Sequence, residues 1–186
     1  MDTAFLVEET KPSDLGLIDT LLDASFGIDR RLKTSYRLRE GNVAAKGLSL
    51  VVRDLHVGIA GSISFWPLMI GDAGTPALLL GPLVVNPARQ NMGYGLTLMT
   101  AGLAKAKAAG HALVILVGDE PYYARVGFRK LPTGHLTLPG PVNPDRFLYL
   151  ELARGALSAA HGLVLPPHRY LEISAALTRP HQANCQ

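Results

Sequence analysis

The chain has 186 residues, of which 48% are hydrophobic, and carries a formal net charge of +3. This length suits one domain, and the apolar content supports a core that needs neither disulfides nor a structural metal. The mild positive charge is compatible with anionic ligands but is too weak to predict binding of nucleic acid. The single cysteine, Cys185, excludes an internal disulfide framework and favours a reducing compartment.

The first twenty residues contain acids and no long apolar core, so we expect no signal peptide. The apolar runs are all shorter than a membrane span, which predicts a cytoplasmic protein without membrane association. We expect one domain over residues 1–165. A loosely held tail is predicted over 166–186, where a proline pair is followed by a polar end. The oligomeric state is left open between a monomer and a homodimer.

The first part of the chain predicts two helices among antiparallel strands. Residues 5–10 predict a strand, and apolar residues at helical spacing from Leu15 predict a first helix. A second helix is predicted over 28–40, and its basic residues are interpreted as a solvated face. Residues 48–54 and 56–70 then predict two antiparallel strands.

The second part predicts a parallel strand–helix–strand crossover. Residues 77–85 form a near-continuous apolar run, typical of a strand buried on both faces. Within that run, Gly81-Pro82 predicts a bulge or a local loss of pairing, because proline lacks the N–H that a ladder needs. The clearest helix covers 93–109, and a buried strand follows over 112–118. A short helix over 119–128, with Asp119 as its cap, and a late strand over 147–153 complete an α/β fold with a mixed sheet.

The loop QNMGYG, residues 90–95, is the strongest candidate for a binding site. It lies between a strand and a helix, where glycines leave backbone N–H groups free to approach an anion. An ordinary tight loop with capping glycines is the alternative. A phosphate-binding P-loop is excluded because Leu96 stands where lysine is needed, and a dinucleotide fingerprint would need glycine at Leu98. Asp119 could mimic a ribose-binding acid, which keeps a dinucleotide-binding oxidoreductase open as an alternative.

Three segments together resemble the GNAT superfamily of N-acetyltransferases. QNMGYG (90–95) is similar to that family's pyrophosphate loop, LGPLVVNPARQ (80–90) to its bulged central strand, and GDEPYYARVGF (118–128) to its following short helix. LGPL, LVGD, YYARVGF and LPGP together resemble the predicted acetyltransferases of the YhbS type. The resemblance covers roughly residues 5–165 and implies a mixed sheet whose two central parallel strands splay apart.

The resemblance implies transfer of an acetyl group from acetyl-CoA, as co-substrate, to a primary amine of a small molecule or peptide. It implies no metal. Pantetheine would act as a substitute strand and pair with the backbone of Leu83, Val84 and Val85. Backbone N–H groups of the loop would hold the pyrophosphate. The N–H of Leu83 would also stabilise the oxyanion. These cofactor-binding residues are Leu83, Val84, Val85, Gln90, Asn91, Met92, Gly93, Tyr94 and Gly95.

Tyr123 matches the family's general acid, since a phenol with a pKa near ~10 stays protonated at neutral pH and can protonate a thiolate. Tyr122 points about 100° away on a helix and is expected to pack. Strand 77–85 contains no acid and no histidine, so we assign no general base. Asp119 or Glu120 could serve as the base directly or through water, whereas Asp72, Glu151, His56 and His135 cannot be placed relative to the site from the sequence. The missing base keeps open a non-catalytic sensor or regulatory module that binds acyl-CoA.

Overall fold

The computed structural model describes residues 5–178, which form a mixed β-sheet covered by helices and loops. The strands are β1 (Phe5–Glu9), β2 (Ser49–Asp54), β3 (Gly58–Ile70), β4 (Thr75–Val85), β5 (Leu113–Val117), β6 (Arg129–Lys130), β7 (Leu136–Thr137), β8 (Phe147–Glu151) and β9 (Gly162–Leu165). The α-helices are α1 (Leu15–Phe26), α2 (Thr34–Arg37), α3 (Tyr94–Ala108), α4 (Glu120–Tyr123) and α5 (Pro167–Thr178).

The strand order is β1-β2-β3-β4-β5-β8-β6. Strands β1 to β4 are antiparallel, whereas β4 and β5 are parallel and are connected through α3. Strands β8 and β6 continue the sheet in antiparallel pairing. The predicted mixed α/β fold and its strand–helix–strand crossover are confirmed.

The core lies on both faces of the sheet. Helix α3 buries Leu98 and Met99 in one cluster, which receives Leu78 and Leu80 from β4. Leu79, between them, points into a second cluster on the opposite face, as strand geometry requires. Strand β4 is therefore buried on both sides, which explains its continuous apolar sequence.

The two central parallel strands are paired over a short distance only. The described pairing between β4 and β5 consists of Leu78 with Val114 and Leu79 with Ile115. Beyond it, the register of β3 against β4 shifts, so that Gly81 and Pro82 occupy a bulge. The prediction that regular pairing fails at Gly81-Pro82 is confirmed, and the strands separate from that point.

The single helix predicted over 28–40 is wrong. A 3-10 turn over Ile28–Leu32 and the short α2 replace it, separated by Lys33 in an extended conformation. Ile28 and Leu32 are exposed, so no apolar stripe draws a continuous helix onto the core. The interpretation of its basic residues as a solvated face is also wrong for Arg30. That side chain is buried and pairs with Asp19 and Asp23.

The loosely held tail predicted from residue 166 is wrong for residues 167–178. Strand β9 pairs with the end of β3, and α5 follows at once. The Tyr170 hydroxyl donates to the Asp72 carbonyl at 3.0 Å. Proline suits the first position of a helix, so the pair at 166–167 begins α5 instead of ending the structure. Cys185 lies outside the described residues, and the domain boundary at residue 165 stays a prediction.

Candidate functional site

A cavity of about 930 Å³ opens where β4 and β5 separate. Its walls come from β4 beyond Leu79, the loop before α3, the end of β5 with α4, the chain around residues 141–146, and the segment before and within α2. The volume falls within the range of small-molecule and cofactor sites. The break at Gly81-Pro82 therefore creates space for a ligand.

The glycine loop brings backbone groups to one wall of this cavity. Gly93 has φ +82° and Asn91 has φ +62°, so the chain turns through two left-handed residues before α3 begins at Tyr94. No side chain caps α3, which leaves the N–H groups of its first turn available to an anion. Gln90, Asn91, Gly93, Tyr94 and Gly95 line the cavity. Met92 lies outside the lining, with its side chain half-exposed.

Leu83, Val84 and Val85, the residues predicted to pair with pantetheine, all line the cavity. They follow the last residues of β4 that pair with β5. The structure thus brings this segment, the loop and Tyr123 to one cavity.

Asp54 holds the glycine loop in place through a hydrogen bond from Tyr94. The sequence analysis did not predict this role. The buried Tyr94 hydroxyl donates to Asp54 Oδ2 at 2.6 Å, and the N–H groups of His56 and Val57 donate to Oδ1. Arg89 Nε lies 3.2 Å from Oδ2 in an ion pair but is not aligned for a hydrogen bond. The Tyr94 hydroxyl, followed by the His56 N–H, lowers the pKa of Asp54 to about 2. Residue type at position 54 alone gives no signal of this contact.

The two neighbouring tyrosines both line the cavity. Tyr122 packs against the core as expected, and its ring contacts Tyr123 edge to face at 5.2 Å between centroids. Tyr123 packs on Phe128 at 6.0 Å. Burial raises the pKa of Tyr123 to about 12, so its hydroxyl is protonated at neutral pH.

Each tyrosine rests against a glycine. A Cβ at Gly118 would overlap the Tyr123 ring, and a Cβ at Gly95 would overlap the Tyr122 hydroxyl. A Cβ at Gly93 would meet open space, so the positive φ explains that glycine and packing does not. Gly95 therefore has a packing role beyond any close approach of a ligand, which sequence reasoning did not foresee.

Within residues 5–178, Asp119 is the one carboxylate that lines the cavity, and no histidine does. Asp119 occupies the cap position of α4, but the prediction that its side chain caps the helix is wrong. Its exposed carboxylate pairs with Arg146 at 3.1 Å instead. Glu151 accepts from the Leu157 N–H, and His135 bonds the Leu157 carbonyl, both away from the cavity. The described residues supply no side chain placed as a general base.

Basic side chains dominate the charge of the cavity. Three of them are paired with carboxylates: Arg30, Arg89 and Arg146. Three others have no carboxylate within ion-pair distance in the described part of the chain: Lys33, Arg39 and Arg125. The net positive lining suits an anionic ligand.

Two other kinds of feature are absent from residues 5–178. No group of three or more histidine, cysteine, aspartate or glutamate side chains is placed to hold a metal ion there. No helix in this range is both long and apolar enough to traverse a bilayer.

Comparison with known families gives a match to the model of the Acetyltransferase (GNAT) family over residues 18–128. The Escherichia coli K12 protein named uncharacterized N-acetyltransferase YhbS is 30% identical over 159 residues, which cover 86% of this chain and 94% of YhbS. The uncharacterized N-acetyltransferase YjhQ of the same strain is 27% identical over 140 residues, 75% of each chain.

Solved structures share the fold. The crystal structure of YhbS from Escherichia coli in complex with CoA has a TM-score of 0.75 and 28% identity, and covers 91% of this chain and 92% of YhbS. A GNAT family acetyltransferase from Brucella melitensis in complex with acetyl-CoA has a TM-score of 0.57 and 29% identity, over 78% and 95% of the two chains.

Proposed function

The chain belongs to the GNAT family of acetyltransferases, and on that premise we propose that it transfers an acetyl group from acetyl-CoA to a primary amine of a small molecule or peptide. The observation that carries this proposal is the cavity at the break between β4 and β5, with a backbone loop on one wall and Tyr123 on another. Similar proteins have been crystallised with CoA and acetyl-CoA. A cytoplasmic location, where acetyl-CoA is available, is part of the proposal.

The family assignment replaces the dinucleotide-binding alternative. The position that would need a third glycine is Leu98, which is fully buried against the core. A dinucleotide-binding fingerprint therefore does not account for this loop. The resemblance to the YhbS type, carried by LGPL, LVGD, YYARVGF and LPGP, is confirmed.

The cofactor residues fit the chemistry of acetyl-CoA. From Leu80 onward β4 has no described pairing with β5, so the backbone at Leu83 to Val85 is free to bond the pantetheine amides as a missing strand would. The N–H groups of the loop and of the first turn of α3 face the cavity and would hold the diphosphate. Arg125, exposed beside Tyr122, adds an unpaired positive charge near that end.

The reaction is a direct transfer. The amine nitrogen attacks the thioester carbonyl, and the N–H of Leu83 donates to the oxyanion that forms. The carbon–sulfur bond then breaks, an amide remains, and Tyr123 gives its proton to the leaving thiolate. The nitrogen loses one proton to water as the amide forms, and water returns a proton to the Tyr123 phenolate. A high pKa keeps this phenol protonated until the thiolate appears.

The amine's own proton leaves to water. No carboxylate other than the exposed, paired Asp119 lines the cavity in the described chain, and no histidine does. The acceptor therefore reacts as the fraction that is already unprotonated. This arrangement also accounts for the absence of an acid or histidine in the β4 sequence.

Calorimetry combined with an activity assay tests the proposal. The protein should bind acetyl-CoA and neither NAD nor NADP. With a panel of primary amines, it should release free thiol from acetyl-CoA only when an amine is present. Binding of acetyl-CoA without amine-dependent thiol release would favour the non-catalytic acyl-CoA sensor, and preference for NAD or NADP would overturn the ligand class.

A further inference from the structure

One wall of the cavity, formed by parts of residues 28–39 (the α2 segment) and of the chain at 141–143, lies on the face of the sheet opposite α3. Thr34 Oγ1 donates to the Pro141 carbonyl at 2.6 Å, which joins the α2 segment to the chain at 139–143. Leu38 and Val142 pack in the cluster that contains Leu79, on the face away from α3. If acetyl-CoA occupies the wall next to α3, this second wall is left to contact the acceptor amine.

The α2 segment has five basic residues, and one of them, Arg37, lies outside the cavity lining and donates to the Pro139 carbonyl at 3.4 Å. The other four divide into two groups. Arg30 and Arg31 pair with Asp19, and Arg30 also with Asp23, so their charge is already balanced within the protein. Lys33 and Arg39 line the cavity, and no carboxylate of residues 5–178 lies within ion-pair distance of either. The acceptor side therefore carries positive charge that the described chain does not neutralise.

Of these two cations, Arg39 has the better-defined surroundings. It is half-buried, its Nε donates to the Ser35 carbonyl at 3.2 Å, and its guanidinium lies over the Tyr36 ring at 5.1 Å. Burial lowers the pKa of Arg39 to about 10, and Arg30 contributes in the same direction, so the group is still charged at neutral pH. The Ser35 bond uses one of five guanidinium N–H donors, and no other acceptor for them appears in the described residues.

Because Arg39 is half-buried, its charge has lost part of its contact with water and is stabilised by an anionic partner. Here the missing partner would face the cavity, since Arg39 lines it. A guanidinium presents its donors in a planar fork that matches a carboxylate. Lys33 lines the same cavity and provides a second cation. The residue and its surroundings are therefore suited to hold an anionic group of a ligand.

We propose that Arg39, assisted by Lys33, binds a carboxylate on the acceptor, so that the substrates are amines that also carry a carboxylate group. The inference rests on the proposed acetyl transfer and names its acceptor class. It also excludes a class: polyamines and other polycations would meet two positive charges and no free carboxylate on this side of the described cavity.

Matched acceptors test this inference. The assay compares each amino acid with its own amide, which removes the negative charge, and expresses each rate per unprotonated amine because the amide also lowers the pKa of the amine. The panel includes an aminophosphonate and a polyamine. The wild-type protein should prefer the carboxylate over the matched amide in kcat/KM by roughly ten- to a hundredfold, the range of a charged hydrogen bond. The polyamine should be the poorest acceptor.

Variants connect the preference to the residue. Arg39→Met should remove the preference for the carboxylate while acetyl-CoA affinity, measured by calorimetry, stays unchanged and reports that the site is folded. Arg39→Lys should retain part of the preference. Arg31→Gln is the matched control, because it removes one charge from the same segment outside the cavity, and it should leave the preference intact.

The outcomes separate the two proposals. Equal rates with acids and amides, a preference for polyamines or for the aminophosphonate, or a carboxylate preference that survives Arg39→Met would each overturn this inference while leaving acetyl transfer in place. Failure to acetylate any amine would instead contradict the proposed function on which it rests.

Discussion

Tyr123 is the side chain on which the proposed chemistry depends most. Tyr123→Phe keeps the ring against Phe128 and Gly118 and removes only the proton donor. If proton transfer limits the rate, turnover should fall roughly 10²-fold or more. Acetyl-CoA affinity should stay nearly unchanged. Steady-state kinetics with a true acceptor, under conditions not limited by product release, measures the effect.

Tyr122→Phe is the internal control for that variant. Its hydroxyl lies against Gly95, so its loss should act on acetyl-CoA binding, if at all, and should leave turnover close to that of the wild type. Equal turnover of Tyr123→Phe and the wild type would remove Tyr123 from the mechanism.

The pH dependence distinguishes a solvent-assisted amine from a protein base. Since the amine must lose its proton unaided, kcat/KM should rise with pH and follow the acceptor's own pKa, near ~8 for an α-amine and ~10.4 for a lysine-type amine. Because the pKa of Tyr123 is about 12, no fall due to this acid is expected before the pH approaches that value. A rising limb with one midpoint for both kinds of acceptor would reveal a base on the protein.

At the residue scale, sequence motifs predicted the residues that act through a local pattern. Tyr123 was predicted by its distance from Gly127-Phe128, and the structure brings it to the cavity. Asp54, Gly118 and Arg39 were not predicted. Asp54 contacts Tyr94, Gly118 lies against the Tyr123 ring, and Arg39 lines the cavity. Only tertiary folding brings these groups together.

The loop before α3 is testable as an element. Gly93→Val places a branched side chain in the open space of the proposed diphosphate site and strains a positive φ. Acetyl-CoA binding should weaken by more than tenfold, or ~1.4 kcal/mol. Calorimetry on the folded variant measures this change.

Gly110→Val is a matched control for Gly93→Val. Gly110 follows the other end of α3 with φ +85°, and a Cβ there also meets open space, so the backbone strain is similar. It should lower stability without weakening acetyl-CoA binding. If both variants bind acetyl-CoA equally well, the loop only caps the helix. Gly95→Val is a poorer test, because it would also displace Tyr122.

At the element scale, periodic apolar patterns predicted β4, α3 and β5 well. The patterns failed where charge or proline decided the structure. Over 28–40 the pattern missed the burial of Arg30 against Asp19 and Asp23 and the break at Lys33, and after residue 165 proline begins a helix where a tail was expected. The first outcome depends on ion pairs with another helix, and the second on the position of proline within an element.

The stability of the whole molecule in acid tests the Asp54 network. A lowered pKa means that the ionised carboxylate stabilises the fold fully above its unfolded pKa near ~3.9. This contribution is lost as the pH falls through about 2. The stability difference between the wild type and Asp54→Asn should therefore shrink between pH 4 and pH 2, as measured by denaturant unfolding.

Asp72→Asn is the control, because it removes an exposed carboxylate outside this network. Its difference from the wild type should not follow the same course. A constant penalty for Asp54→Asn across this pH range would show that the network does not depend on the charge of Asp54.

At the scale of the whole molecule, the order of elements and Gly81-Pro82 predicted a mixed sheet with a local loss of pairing, and the resemblance to the GNAT family implied the splay of the central strands. The second face of the cavity could not be predicted. It depends on the hydrogen bond between Thr34 and Pro141, which are 107 residues apart. No local sequence pattern predicts that contact. The wall around Thr34 and Pro141 therefore needed the structure, whereas the loop that forms another wall was predicted from the sequence.

The most direct test of acetyl transfer is to count both products of one reaction. The purified protein is incubated with acetyl-CoA and an amino acid acceptor, free thiol is titrated, and the N-acetylated product is quantified by mass spectrometry. The account predicts one amide for each thiol released, with no release when the acceptor is omitted. Thiol release without amide, or acetyl-CoA left intact in the presence of every amine tested, would contradict it.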